Sequence, residues 1–507
     1  MEEIATTNSD HVEDLPEEHP LTLKASIRNS LDKLLVAKIL SKGEVGIIKM
    51  NQSFKVPSLT DKVHSIIESA RSVKYRRQES KDVFWARRES VTDDLNKIDR
   101  VVIQAKASEQ EYFYTDYNKY DSKVLRMTSA EFKQRYLHLH IPCIIQNIRI
   151  PIAEKWIKEA RISNIPGAEA KSFKINTDWF IENIGGDTEV PIRVNQEGYT
   201  AGRATECTTS KMTMKKWIQR NQNPSPNPSE YLKDWHLQSL FQHLYKDPIL
   251  FDDILNPFLL DHEGGDYRFV YWGGKKSSTP IHSDVLNSHS WSYNVIGSKR
   301  WTFYRNDSHS GDDNSIVQID QCQGEMMFVP STWRHSVLNL EEAISINHNW
   351  ITICSIDCIF DCLLEEMMAI EEEMQAWDIL KSSNQSELSR VRENMLRGCI
   401  GMDISTYCAL AISCFVKSIS SVLKDENDEM HWFNFARSVI VINNILETAT
   451  SEKSKGTLED GMGDDSQEGN VFIDPEIKLS KPLCNRKDSS EALKYNAVDF
   501  SKCLLQN

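Results

Sequence analysis

The stretch Thr279-Pro280-Ile281-His282-Ser283-Asp284 decides both the fold and the chemistry that this sequence predicts. Alternate side chains of a β-strand point to one face, so His282 and Asp284 are expected to lie on the same side. A further histidine, His335, follows in a stretch that a second strand would bring to the same point. Two histidines and one carboxylate occupy three positions around a metal and leave the others open, as in non-haem Fe(II) oxygenases. The sequence therefore predicts an iron site.

A single His-x-Asp match carries little weight, because 14 histidines in 507 residues produce about one by chance. The context adds more: residues 291–304 read as two apolar-rich strands around a Gly-Ser turn. Lys299 begins the second of these strands, in a predicted cavity walled by Trp and Phe side chains. Its ammonium group is suited to hold the distal carboxylate of a dicarboxylic acid. The alternative is a solvated lysine at a strand end.

Five ordered motifs resemble the successive strands of a JmjC domain. They are residues 279–284, 297–301 (Gly-Ser-Lys-Arg-Trp), 324–330 (Gly-Glu-Met-Met-Phe-Val-Pro), 333–337 (Trp-Arg-His-Ser-Val) and 345–350 (Ser-Ile-Asn-His-Asn-Trp). Residues 231–237 and 264–274 fit the same domain, and the whole set is most similar to the jumonji domain-containing protein 4 group. The resemblance covers about residues 125–375.

The resemblance implies a 2-oxoglutarate-dependent lysyl hydroxylase that acts on the eukaryotic translation termination factor and uses Fe(II), 2-oxoglutarate and O₂. It assigns Fe(II) to His282, Asp284 and His335. It pairs Lys299 with the 5-carboxylate of 2-oxoglutarate, to which Thr279 would donate its hydroxyl. A methyl-lysine demethylase and a metal-free interaction scaffold are the alternative functions.

Two asparagines on the last predicted strand, Asn347 and Asn349, match positions where related enzymes place polar groups near the cosubstrate. Either could equally be a structural hydrogen-bonding residue. His289 and His348 are expected on the surface or behind the metal ligands, because three ligands already fill the facial site. His138 and His140 are expected on the polar side of a strand that enters the domain.

The expected fold is a mainly β catalytic core, a double-stranded β-helix or cupin-like jelly roll with flanking N- and C-terminal helices. Its strands are expected from Tyr267 to Trp350, and an apolar lining is expected from Trp291, Val295, Trp301, Phe303 and Phe328. The predicted organisation is a disordered acidic N-terminus (1–22), a helix-leaning segment of unknown function (23–124), the catalytic region (125–375, core 235–370), a helical region (376–447) and a largely disordered acidic tail (448–507).

Composition predicts a cytoplasmic protein, with the nucleus as the alternative. Mean hydropathy is −0.47, and no apolar run is expected to approach the ~20 residues needed to span a bilayer. The acidic, polar N-terminus is not expected to be an export signal. A net charge of −15 makes nucleic acid an unfavourable partner and a basic protein a favourable one. Eleven cysteines without a C-x-x-C pair are expected to be reduced thiols. The C-terminal helices are expected to pack on the barrel or on a second copy of the chain, as a homodimer.

Overall fold

A computed structural model describes ten segments of the chain. They are residues 61–89, 98–160, 172–195, 207–222, 227–241, 244–262, 265–305, 316–376, 385–425 and 428–456. The predicted N-terminal disorder (1–22) and the tail beyond residue 456 lie outside the described residues.

Sixteen strands are present in the described residues. Their bounds are β1 Asp99–Ile103, β2 Leu125–Met127, β3 Cys143–Ile145, β4 Ile157–Ala160, β5 Ser172–Ile175, β6 Glu189–Asn195, β7 Cys207–Thr213, β8 Glu230–Trp235, β9 Arg268–Gly273, β10 Ser278–His282, β11 His289–Ile296, β12 Lys299–Tyr304, β13 Ile316–Gln321, β14 Met326–Val329, β15 Arg334–Asn339 and β16 Ala343–Trp350.

Eleven α-helices flank the strands in the same described segments. Their bounds are α1 Asp61–Arg71, α2 Val73–Glu89, α3 Ser129–Phe132, α4 Thr177–Phe180, α5 Met214–Asn221, α6 Leu237–Leu240, α7 Leu255–His262, α8 Ile356–Ala376, α9 Gln385–Ile400, α10 Ile404–Lys424 and α11 Glu429–Gly456.

Two sheets face each other and form the predicted jelly roll. The larger has ten strands in the order β2-β1-β3-β14-β11-β16-β9-β8-β6-β7, and the smaller has four in the order β10-β15-β12-β13. Strands β11 and β16, at the centre of the large sheet, are buried along their whole length. Apolar side chains from both sheets fill the space between them, among them Trp291, Trp301 and Phe328. This architecture confirms the predicted cupin-like fold with flanking helices.

The large sheet begins before the predicted boundary at residue 125. Strand β1 pairs in parallel with β2 and β3, and Val101, Val102 and Ile103 are fully buried there. Burial of this short β-branched run explains why it joins the sheet, although the charged sequence around it suggested a separate segment.

A helix replaces the strand that was expected to begin at Tyr136. Thr128 and Glu131 form a reciprocal capping box that starts α3, and a π-helical turn, Lys133–Leu137, continues it. Strand β3 starts only at Cys143. The prediction of a strand was therefore wrong for His138 and His140, because the capping signal in Thr-Ser-Ala-Glu outweighed the short alternation that follows.

The C-terminal helices form a second apolar core against the barrel. Its members include Ile359 and Leu363 of α8, Tyr407 of α10, and Leu255 and Leu286 from the barrel side. These contacts match the expectation that the helices pack on the barrel. Helix α11 extends to Gly456, past the predicted start of the tail at residue 448.

One described helix has the length and apolar composition to cross a membrane. It spans Ile404–Val422 in α10, with a mean hydropathy of 1.3 over 19 residues. The expectation that no apolar run approaches this length was therefore wrong. The window is 72% buried inside the protein, and a core helix of this kind passes the same test.

Candidate metal and cosubstrate site

The three predicted metal ligands come together at one end of the small sheet. Strands β10 and β15 pair antiparallel with His282 opposite His335, and the two imidazole centroids are 4.4 Å apart. Asp284 lies two residues beyond the end of β10, at the N-cap position of the short turn Val285–Asn287. One potential ligand atom from each of the three residues lies within 4.8 Å of the others. In the described residues this is the one such cluster that could hold a metal ion.

Backbone carbonyls fix the orientation of both imidazole rings. His282 Nδ1 lies 2.9 Å from the Pro280 carbonyl oxygen, and His335 Nδ1 lies 3.0 Å from that of Trp333. A carbonyl can only accept, so each Nδ1 must carry the proton and donate it. Each Nε2 then keeps its lone pair for a metal.

The protonation states also suit a metal. Burial, together with the neighbouring His335, lowers the pKa of His282 to about 3, so its ring is neutral near pH 7. Metal ligation requires the neutral imidazole. Asp284 Oδ2 accepts a hydrogen bond of 2.8 Å from Ser290 Oγ on the facing sheet, which orients the carboxylate. Two neutral nitrogens and one carboxylate oxygen are a donor set that fits Fe(II).

A break in strand register brings Thr279 to the same cleft as His282. Residues three apart in a regular strand point to opposite faces, but the β10–β15 register shifts between these two positions. Both side chains therefore line one cleft. Pro280 lies inside the irregular stretch, where its missing N–H costs no ladder hydrogen bond.

Lys299 lies in the same cleft and is 2% exposed. Its ammonium donates a 2.6 Å hydrogen bond to Ser345 Oγ, the one acceptor it has in the described part of the chain. Burial, with a smaller effect from Lys233, lowers the pKa of Lys299 to about 7. A dry cation with a single neutral partner is poorly compensated, and a carboxylate would fit beside it.

The two asparagines of β16 also line the cleft, opposite the small sheet. Asn347 Nδ2 donates to the carbonyl and hydroxyl oxygens of Ser345, each at 3.0 Å, and Asn349 Nδ2 donates to Ser288 Oγ at 3.2 Å. Both therefore have structural hydrogen bonds and also face the cleft, and their contact with a cosubstrate stays a prediction.

The cleft has a volume of about 450 Å³, counting its open mouth. Of the five apolar residues expected to line it, Trp291 and Trp301 do so. The other three, Val295, Phe303 and Phe328, are buried in the barrel core instead.

Sequence reasoning missed several residues that line the cleft. They are Tyr231, Lys233, Tyr271, Ser290, Ser292 and Val337. Ser345, the partner of Lys299, was also missed. Alternation provides the signal that could have found two of them, because Ser345 shares a strand face with Asn347, and Val337 shares one with His335.

His289 and His348 are buried behind the cleft and not on the surface. His289 Nδ1 accepts a 3.0 Å hydrogen bond from the Ser331 backbone N–H, and His348 Nε2 lies 2.5 Å from the Tyr245 hydroxyl. Neither belongs to the ligand cluster.

Comparison with known proteins gives matches to one family. A profile described as JmjC domain, hydroxylase, matches residues 307–350, a stretch that includes His335. The protein "2-oxoglutarate and iron-dependent oxygenase JMJD4" of Gallus gallus is 30% identical over 303 residues, which is 54% of this chain and 69% of that protein. Its Danio rerio counterpart is 35% identical over 41% of this chain and 56% of that protein.

A plant protein extends the match over more of the chain. The "Arginine-specific demethylase JMJ20" of Arabidopsis thaliana is 27% identical over 409 residues, covering 70% of this chain and 82% of that protein. The chain thus spans between about half and four fifths of the length of these relatives.

Proposed function

The chain belongs to the JmjC family of 2-oxoglutarate and iron-dependent oxygenases, and we propose that it is a dioxygenase that hydroxylates a side-chain carbon of a protein. The observation that carries the proposal is the single cleft that holds His282, Asp284 and His335 at one end and the buried Lys299 at the other. Lys299 lies opposite Asn339 on β15, four residues along that strand from His335. A metal-type donor set and a buried cation in one cleft are the two kinds of group that an iron-bound dicarboxylic acid would contact.

Each residue of the cleft has a defined task in this proposal. His282, Asp284 and His335 would hold Fe(II), and Lys299 with Thr279 would bind the 5-carboxylate of 2-oxoglutarate. When bound, Fe(II) and 2-oxoglutarate would supply the oxidising chemistry, in which O₂, 2-oxoglutarate and a substrate C–H group give succinate, CO₂ and a C–OH group. The protein orients these groups, and Trp291 and Trp301 reduce the access of water to them.

The proposed substrate is a lysine of the eukaryotic translation termination factor. Support for this comes from the resemblance to the jumonji domain-containing protein 4 group. The net charge of −15 favours a basic protein partner but does not identify which one. A cytoplasmic location, with the nucleus as the alternative, is consistent with such a substrate. A homodimer through the C-terminal helices is a further proposal.

Demethylation of a protein is the second candidate. It is favoured by the plant relative whose name describes an arginine-specific demethylase. Oxidation of an N-methyl carbon uses the same metal and cosubstrate as hydroxylation of a side-chain carbon, so the cleft accommodates both reactions. The substrate that reaches the metal distinguishes them.

Mass spectrometry tests the proposal. The full chain is incubated with Fe(II), ascorbate and 2-oxoglutarate and with either the termination factor or peptides that carry methylated lysine or arginine, while succinate is followed in parallel. A gain of one oxygen on a lysine of the factor, absent with the His282→Ala variant, supports the hydroxylase. Loss of a methyl group supports the demethylase. No mass change and no succinate with any substrate would contradict an oxygenase and support the scaffold.

A further inference from the structure

Helix α2, in the segment for which the sequence suggested no function, contacts the turn that precedes His335. Lys81 Nζ donates a 3.1 Å hydrogen bond to the Thr332 carbonyl and lies 5.3 Å from the ring centroid of Trp333. Phe84 meets the same indole edge-on at 5.0 Å, and Trp85 stacks on it at 5.8 Å. One face of the helix thus covers the turn.

The turn is strained and needs such support. Thr332 has φ +67°, a left-handed backbone conformation that a β-branched residue rarely adopts. A conformation of this kind costs about 1–3 kcal/mol and persists only where the surroundings enforce it. The hydrogen bond from Lys81 reaches the carbonyl of this same residue. The helix therefore acts at the strained point.

Trp333 transmits the position of the turn to the metal ligand. Its carbonyl oxygen accepts the hydrogen bond from His335 Nδ1 at 3.0 Å, and its indole Nε1 donates to the His140 carbonyl at 2.9 Å. Trp333 is 1% exposed. A shift of its backbone would rotate the imidazole of His335, because the carbonyl sets both the tautomer and the ring direction.

Helix α2 is itself held in place by a buried ion pair. Arg77 is 7% exposed and donates to both carboxylate oxygens of Asp357, at 2.9 and 2.6 Å. Asp357 also pairs with Arg437 of α11 at 3.2 Å. The helix is therefore anchored to the helical core, at a point away from the turn.

We propose that helix α2 is a positioning element of the metal site: Lys81, Phe84 and Trp85 hold the 330–333 turn so that the Trp333 carbonyl aims His335 Nε2 at the metal. The inference rests on the metal-binding role proposed for His335. It gives the N-terminal helical segment a function in metal binding.

Metal affinity measured without turnover tests this role. Mn(II), which stands next to Fe(II) in the affinity order of the divalent metals, is titrated into the metal-free full chain by calorimetry. Lys81→Met removes the hydrogen bond and the cation but keeps the length of the side chain. We expect it to weaken Mn(II) binding by up to about tenfold, the lower end of the usual cost of losing a group bonded directly to a ligand, because Lys81 acts on His335 through the turn. Lys81→Arg, which can still donate to the Thr332 carbonyl, should restore most of the affinity.

Lys74→Met is the matched control on the same helix. It also removes a lysine that bonds to another element, since Lys74 Nζ lies 2.8 Å from Asp361 on α8, but it does not reach the turn. Its Mn(II) affinity should equal that of the original chain. Trp85→Leu, which removes the stacked ring, should weaken binding in the same direction as Lys81→Met.

The outcomes separate this inference from the proposed function. Unchanged Mn(II) affinity in both Lys81→Met and Trp85→Leu, even with a lower unfolding temperature, would overturn the positioning role and leave a structural one. Failure of the original chain to bind Mn(II), or equal binding by Asp284→Ala, would instead overturn the metal site itself. Weakening by Lys81→Met with the control unaffected supports the inference.

Discussion

The metal end and the Lys299 end of the cleft differ in how well the protein's own hydrogen bonds satisfy the functional groups there. At the metal end, two backbone carbonyls and the Ser290 hydroxyl orient the three donor groups. At the other end a buried ammonium has one hydroxyl partner among the described residues, and burial has lowered its pKa to about 7.

The difference indicates two ways of preparing a site. The metal end is preorganised, so binding there requires little rearrangement of the protein. The Lys299 end keeps an unfavourable charge that only an anion relieves, so part of the binding energy of the cosubstrate offsets a cost already present in the free protein. A substitution at one end should therefore leave the other end intact.

The largest effect is expected from Asp284→Ala. This change removes the only anionic donor of the cluster, so Mn(II) affinity should fall more than about 100-fold, beyond the usual effect of losing an outer partner of a ligand. Calorimetric titration measures it. Ser283→Ala, at the exposed neighbouring position, should bind as the original chain does. Equal affinity in Asp284→Ala would remove this residue from the metal site.

A smaller but still large effect is expected from Lys299→Met. Loss of a buried charged partner costs about 2–5 kcal/mol, so the Kd for 2-oxoglutarate should rise at least about 30-fold. The ligand-free variant should also unfold at a higher temperature, because an uncompensated buried cation has been replaced by an apolar chain. An unchanged Kd together with a lower unfolding temperature would make Lys299 a structural residue.

The affinity for 2-oxoglutarate should depend on pH through the protonation of Lys299. Because burial lowers the pKa of Lys299 to about 7, its amine must take up a proton to bind a carboxylate above that pH. Affinity for 2-oxoglutarate should therefore fall by about tenfold per pH unit above about 7. Titrations at several pH values measure this slope, and Lys299→Met should lack it. A slope shared by both proteins would assign the proton to another group.

The lowered pKa of Lys299 also affects the stability of the ligand-free protein, but with the opposite pH dependence to that of 2-oxoglutarate affinity. The unfolded chain has a lysine of ordinary pKa, 10.5, and so binds more protons than the folded chain between pH 7 and 10.5. Its contribution makes the ligand-free protein more stable as the pH rises through this window. Comparison of unfolding free energies for the original chain and Lys299→Met isolates that contribution.

The smallest effect is expected from Asn347→Ala. Its amide supports Ser345 through two 3.0 Å hydrogen bonds, and Ser345 in turn accepts from Lys299. Neutral hydrogen bonds contribute about 0.5–1.5 kcal/mol, so the Kd for 2-oxoglutarate should rise by roughly 2- to 10-fold. Mn(II) affinity should not change. A larger loss of Mn(II) affinity than of 2-oxoglutarate affinity would instead assign Asn347 to the metal end of the cleft.

The sequence was informative where alternation and ordered motifs decide the structure. The His-x-Asp spacing correctly predicted that His282 and Asp284 lie together, and the motif near residue 335 predicted the strand that brings in the third ligand. Their roles in binding remain predictions. Thr279 joins them only through a register irregularity that no spacing rule shows.

Other features depend on tertiary contacts and could not be predicted from local pattern. Arg77 reads as part of a basic surface run, yet its partner Asp357 lies 280 residues away in the sequence. Lys81, which we propose supports His335, is similarly distant: it lies 251 residues before Thr332, whose carbonyl it contacts. The wrong prediction of a strand at His140 has a local cause. The capping box of Thr128 and Glu131, which starts a helix, was present in the sequence and was missed.

The central claim is that the two ends of the cleft bind one cosubstrate together with one metal ion. The most direct test is the Kd of 2-oxoglutarate measured with and without Mn(II) in the full chain. We expect Mn(II) to tighten 2-oxoglutarate binding and 2-oxoglutarate to tighten Mn(II) binding by the same factor, as linkage requires. Equal 2-oxoglutarate affinity in the presence and absence of the metal would contradict it.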